Sequence, residues 1–161
     1  MNDASTPLKL QLHKEKSTSL KHNWKDISEE LHVTKVEMKE RGYHVVEIIP
    51  GQVGFGRVDN KFGFSILVSR TVEKELRQLL GSDNSMKIDT SYRQLDKIIV
   101  MIVLLKDEIK KNCLITLIYY HSLEKPLLTR EKNLYMFFRT LTNEIIAEVT
   151  IPDYRVFTLV E

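Results

Sequence analysis

Lys97-Ile98-Ile99-Val100-Met101-Ile102-Val103-Leu104-Leu105, the polar Lys106 to Asn112, and Cys113-Leu114-Ile115-Thr116-Leu117-Ile118-Tyr119-Tyr120 form the stretch on which the fold turns. Two apolar, β-branched runs joined by a short charged segment predict a buried antiparallel hairpin. Neither run alternates strictly between apolar and polar. Both faces of these strands are therefore expected to be covered, one by helices and the other by more chain or by a partner.

Working outward toward the N-terminus, Trp24, Ile27, Leu31, Thr34 and Met38 recur at spacings of three and four, the stripe of an amphipathic helix. Asn23 can cap it, Asp26 suits its N-terminal dipole, and Gly42 can end it in the left-handed conformation. Residues 1–22 mix Ser, Thr, Lys and Leu without a period, which predicts a flexible tail ahead of a single domain over 23–161, with a transient helix around Leu8 to Lys16 as the minor reading. Trimming such a tail should leave the melting temperature unchanged.

After the helix, Tyr43 to Ile49 reads as a strand broken by Pro50-Gly51. Gly51, Gly54 and Gly56 form a pliable loop, and Phe62 to Val68, reached through the turn Asp59-Asn60-Lys61, reads as the hairpin partner. Ser69 or Thr71 caps a second helix with Val72, Leu76, Leu79 and Leu80 on its apolar face and Gly81 at its end. Ser82 to Ser85 is a loop, and Met86 to Tyr92 an edge strand. Beyond the hairpin, Pro126 suits the first turn of a short helix. Leu134 to Leu141 and Ile145 to Ile151 form a pair of strands, Pro152-Asp153 a bend, and Tyr154 to Val160 a final strand. The expected fold is α+β, with one mostly antiparallel sheet of about six to eight strands carrying two main helices on one face and one short helix.

At 161 residues the chain can bury roughly 70% of its unfolded surface without disulfide or metal. Hydrophobic residues at 42%, charged residues at 29% and only ten Gly plus Pro argue against global disorder. Cys113 has no cysteine to pair with, and its apolar strand points to a reduced, cytoplasmic setting and an inert thiol. No signal sequence or membrane-spanning run is evident, which predicts a protein that neither crosses nor rests on a membrane. The net charge of +2 is accounted for by Lys9, Lys14, Lys16 and Lys21 against Asp3 and Glu15, so the remainder is near neutral. No nucleic-acid partner is expected.

Motifs for chemistry are few. Gly51-Gln52-Val53-Gly54-Phe55-Gly56 has the order G-x-x-G-x-G, followed by a turn and strand instead of the helix N-terminus that cradles phosphate. His13, His22, His32, His44 and His121 lack metal-site spacing, so no metal and no cofactor is predicted. No catalytic residue is recognised: there is no G-x-S-x-G, and Cys113 has no local base. The most suggestive group is Tyr119, Tyr120 and His121 at one strand end, with Tyr135, Phe137 and Arg139 on one face of a later strand. Were those strands neighbours, Tyr119, His121, Tyr135 and Arg139 would line a ligand pocket where the guanidinium meets an anion. The alternative has Arg139 paired with a surface carboxylate such as Glu148.

Arg41-Gly42, Pro50-Gly51-Gln52-Val53, Phe64-x-x-Leu67-Val68, Tyr119-Tyr120, Arg139-x-Leu141 and Val149-Thr150-Ile151-Pro152-Asp153 together resemble an uncharacterised family of small archaeal proteins, best represented in haloarchaea. The resemblance covers Trp24 to the C-terminus. It departs from the family's R-P-L at Arg139-Thr140-Leu141, has only Phe157 where an aromatic pair is expected, and carries a less acidic surface. It implies one domain and no particular activity. Two classes stay open: a non-catalytic interaction or regulatory module, which the absence of catalytic motifs favours, and a ligand-binding or enzymatic domain using the Tyr/His/Arg neighbourhood. The apolar excess of the central strands adds the expectation of a homodimer or protein partner.

Overall fold

A computed structural model describes residues 5–50, 53–80 and 86–151. In chain order its elements are α1 (Ser5–Glu40), β1 (His44–Ile48), β2 (Val53–Val58), β3 (Lys61–Leu67), α2 (Arg70–Leu80), β4 (Lys87–Leu95), β5 (Ile98–Asp107), β6 (Asn112–His121), a 3-10 turn (Ser122–Glu124), α3 (Lys125–Thr129), β7 (Leu134–Arg139) and β8 (Ile145–Ile151). The class is α+β, as expected. The single, mostly antiparallel sheet is corrected to two mixed sheets of four strands, ordered β1-β6-β5-β4 and β2-β3-β7-β8. Each has one parallel pair, β1 with β6 and β3 with β7. The expected strand Tyr154 to Val160, the bend at Pro152-Asp153, the loop Ser82 to Ser85 and the closing Gly81 lie outside the described residues.

The central hairpin forms as its sequence dictates, with β5 and β6 paired from Ile98↔His121 to Asp107↔Asn112. Its turn is secured by Asp107, whose Oδ1 accepts from the Ile109 and Lys110 N–H groups at 3.1 and 3.0 Å. Nearly every residue of both strands is buried. Helix α1 covers one face: Ile27 and Glu30 meet Val100 and Ile102, and Met38 clusters with Tyr43, Cys113 and Leu104. On the other face Met101, Val103, Leu114, Ile118 and Tyr120 belong to one continuous core with Phe64, Ile66, Met136 and Phe138 of the second sheet and Leu76 of α2. The apolar excess that motivated a dimer is thus covered within one chain. Burial pushes the Cys113 thiol up to about 11, with Lys106 opposing, so the thiolate is scarce at neutral pH.

Helix α1 ends as predicted. Gly42 has φ +89°, its N–H donates to Lys39 O at 3.0 Å, and Tyr43 N–H reaches back to Met38 O at 3.0 Å. This is the Schellman arrangement with its apolar contact, here Met38 on Tyr43. The beginning of α1 differs from expectation, because described residues of the expected tail form its first half. Leu20 touches the core and Ser19 is buried, but most contacts are polar. Lys16 pairs with Glu124 at 3.0 Å, Ser19 Oγ donates to Asp96 at 3.4 Å, and Glu15 meets both Lys97 and His121. An apolar period was absent because the helix docks through charges, which leave no such period in sequence.

A second correction concerns the glycine loop. Val53 to Val58 is a strand, and it is this strand that forms the hairpin with β3 through Asp59-Asn60, where Asp59 takes φ +55°. The strand at His44–Ile48 instead joins the first sheet, parallel to β6. Alternating glycines hid the strand, since glycine carries low β propensity and reads as a breaker.

Candidate functional site: a glycine-floored cleft on the second sheet

Register places Gly54 opposite Ser65 and Gly56 opposite Gly63, and across the parallel pair Ser65 beside Phe137 and Leu67 beside Arg139. These residues share one face of the second sheet, while Phe64, Ile66, Met136 and Phe138 on the other enter the core. A Cβ added at Gly54 or Gly56 would meet nothing within 4 Å. Above this bare backbone opens a cleft of about 400 Å³ lined by Gly54, Phe55, Gly56, Arg57, Ser65, Leu67, Arg139 and Asn143. Gly63 serves a different purpose, as its Cβ would stand 2.2 Å from Tyr135 O. It permits the close approach of β3 and β7.

Arg139 and Asn143 are aimed by a rigid corner. The pairing of β7 with β8 shifts between Phe138 and Arg139, a bulge of the kind that redirects a side chain. Past it, Thr140 N–H donates to Glu144 O at 2.9 Å, and Thr140 Oγ1 accepts from the Thr142 and Glu144 N–H groups at 3.3 and 3.1 Å. Asn143 closes the turn at φ +65°, a conformation asparagine tolerates.

Ion pairs around the cleft use its acidic neighbours. Arg57 pairs with Glu131 and lies over the Phe62 ring at 5.7 Å. Lys61 holds Glu148 at 2.7 Å, and Arg77 reaches Glu144 at 3.5 Å. Arg139 has no ion pair among the described residues, and its Nε is buried without a hydrogen-bond partner. The pairing with Glu148 that would have made Arg139 a surface residue is taken by Lys61.

The four residues singled out from sequence fall into two places, because β6 and β7 belong to different sheets. Tyr119 OH accepts from Val53 N–H at 3.3 Å, tethering the start of β2, and burial raises its hydroxyl's pKa. His121 is only 2% exposed, and both ring nitrogens are engaged. Its Nδ1 accepts from Leu123 N–H at 3.1 Å, which leaves Nε2 to donate to the Glu15 carboxylate. His121 also caps the 3-10 turn, with its own N–H donating to Glu124 Oε1 at 2.9 Å. The His121 hydrogen bond holds the Glu15 carboxyl below its ordinary pKa, with Lys97 assisting against desolvation. Tyr135 stacks on Phe137 at 6.2 Å under the Lys61 ammonium. Arg139 alone of the four lines the cleft. Sequence reasoning missed Gly54, Gly56, Ser65 and Asn143; a G-x-G inside a strand, with both glycines on one face, was the available signal.

No group of three His, Cys, Asp or Glu side chains among the described residues is placed to hold a metal ion. No described helix is long and apolar enough to cross a membrane. The model of a family of unknown function, DUF7529, matches residues 11–158. The chain belongs to this family. The DUF7529 match takes in every cleft residue and begins inside α1, within the segment expected as a tail. No curated protein matches the chain.

Proposed function

We propose that this DUF7529 protein is a non-catalytic binding module that takes a small anionic molecule in the cleft over β2, β3 and β7. Of the two classes left open by the sequence, the cleft favours ligand binding over a purely protein-facing surface. One observation carries the reading: Arg139 lines the glycine-floored cleft with its Nε unpartnered and no described counter-charge, while the carboxylates nearby are held by other cations. A charge kept in such a place costs stability unless something binds it. The rigid turn behind Arg139 and Asn143 supports the same reading, since a site on fixed backbone loses less entropy on binding. A cytoplasmic setting, inferred from the reduced Cys113, belongs to the proposal. A second copy of the chain does not, because the strands that invited one are covered.

Thermal-shift screening against metabolites, nucleotides and simple anions tests this. A ligand at a hundred times its dissociation constant should stabilise the fold by about 2.7 kcal/mol. Its effect should vanish in Gly54→Val, whose Cβ would meet nothing within 4 Å, while the unliganded melting temperature stays put. Hits that persist in both Gly54→Val and Arg139→Gln would place binding elsewhere and end the reading.

A further inference from the structure

We infer that the ligand of this cleft is a small monocarboxylate with an apolar body, its carboxylate paired with Arg139 and its body lying toward Leu67. The inference rests on the binding reading above and adds the chemical class.

Charge sets the first limit. Among the described residues two arginines line the cleft, but Arg57 is paired with Glu131, which leaves Arg139 as the one described positive charge there without a counter-charge. The described lining residues come from β2, β3, β7 and the following turn, so among the described residues no helix terminus contributes N–H groups to the wall. A phosphate dianion asks for more than one cation or for a helix N-terminus. A carboxylate asks for one guanidinium. The edge of that group, Nε beside a terminal nitrogen, matches the two oxygens of a carboxylate in a fork. Arg139 Nε is unspent among the described residues and the side chain lines the cleft, where a turn about its last torsions would present this edge to a bound carboxylate.

The remaining wall sets the second limit. Leu67 is 48% exposed at the cleft, a large apolar side chain left uncovered beside the arginine. Phe55 turns its ring to the opposite face, against Phe62 and Phe64, so the apolar wall is Leu67, and Ser65 with Asn143 supplies two uncharged polar groups. A volume of about 400 Å³ is near the small end for ligand sites, which suits a compact acid.

The test is a titration of the full-length, 15N-labelled protein with benzoate, hexanoate, methyl benzoate and inorganic phosphate at constant ionic strength and pH 7.5. Benzoate or hexanoate should shift the Gly54 and Gly56 amide signals and the Arg139 Nε–H signal saturably. Methyl benzoate and phosphate should bind at least about tenfold more weakly, and Arg139→Gln should cost the acids at least about tenfold. Arg139→Lys, which keeps charge but loses the fork, should also weaken them. If phosphate or the ester binds as well as the acids and Gly54→Val abolishes it, the carboxylate class is wrong and the cleft survives. If the acids bind Gly54→Val undiminished, both the class and the cleft fail. If neither acid moves the Gly54, Gly56 or Arg139 signals at its solubility limit, the carboxylate inference is overturned, and the cleft is then judged by the thermal-shift screen alone.

Discussion

The first sheet puts β5 and β6 at its centre, apolar on both faces and buried under α1 on one side, whereas the second sheet carries Gly54, Gly56 and Gly63 in adjacent strands and leaves one face partly open. Both are four-stranded and mixed, so the difference lies in side chains and not in topology. In the first sheet the side chains fill space; in the second their absence makes it. An open cleft and a dense core make opposite demands on a strand, and here they are met in separate sheets joined through one core.

The contrast breaks first if substitution hurts both sheets alike. Leu117 is 1% exposed in β6, and Leu117→Ala should cost about 2 to 5 kcal/mol through lost burial and a cavity. Leu67→Ala, at the cleft, should stay within about 0.5 kcal/mol. Urea unfolding of both variants decides, and equal losses would erase the distinction. Within the second sheet the glycines should divide in the same manner. Gly63→Ala forces a Cβ against the Tyr135 backbone and should cost about 1 to 3 kcal/mol, while Gly54→Ala should be neutral or slightly stabilising.

A third test concerns the polar docking of α1 at the far end of the first sheet. Glu15 has its pKa depressed in the folded protein, so its contribution is present above the unfolded carboxylate value and is lost as pH falls through the lower folded value. Amide exchange over residues 11–22 should therefore accelerate at pH 3 relative to pH 6, beyond the intrinsic pH effect, while residues 30–40 hold their protection. Uniform loss along α1 would mean that the polar contacts with His121 and Lys97 do not anchor its first half. For the same reason, deleting residues 1–20 should lower the melting temperature, the reverse of what a solvated tail implies.

How much was legible follows from what each region uses. The β5–β6 hairpin, the stripe of Ile27, Leu31 and Met38, and the Gly42 cap announce themselves because burial repeats with the period of the backbone. The first half of α1 did not, because Glu15, Lys16 and Ser19 find partners 77 to 108 residues away, and ion pairs have no local period. Strand β2 was concealed by its glycines, and with it the cleft. Arg139 was visible as a candidate, yet its supposed companions Tyr119 and His121 were assigned on the premise that β6 and β7 are neighbours, and strand order between sheets is not written in either strand.

One modest effect is the sharpest for the comparison, because its sign is unusual. In the first sheet any buried polar group that finds a partner should destabilise when removed. Arg139 is the converse case: its Nε is buried without an acceptor, and its charge has no described partner. Leaving a buried donor unsatisfied costs about 1 to 3 kcal/mol, so Arg139→Met, which keeps the length and apolar stem of the side chain, should raise stability by about 1 kcal/mol in the absence of ligand. Gains of this kind fall where a structure holds a group for binding at the expense of folding. Thermal and urea unfolding of the unliganded proteins read the sign. A loss of more than about 1 kcal/mol would show that the arginine stem and head are built into the fold, and a guanidinium needed for folding is not one waiting for a ligand.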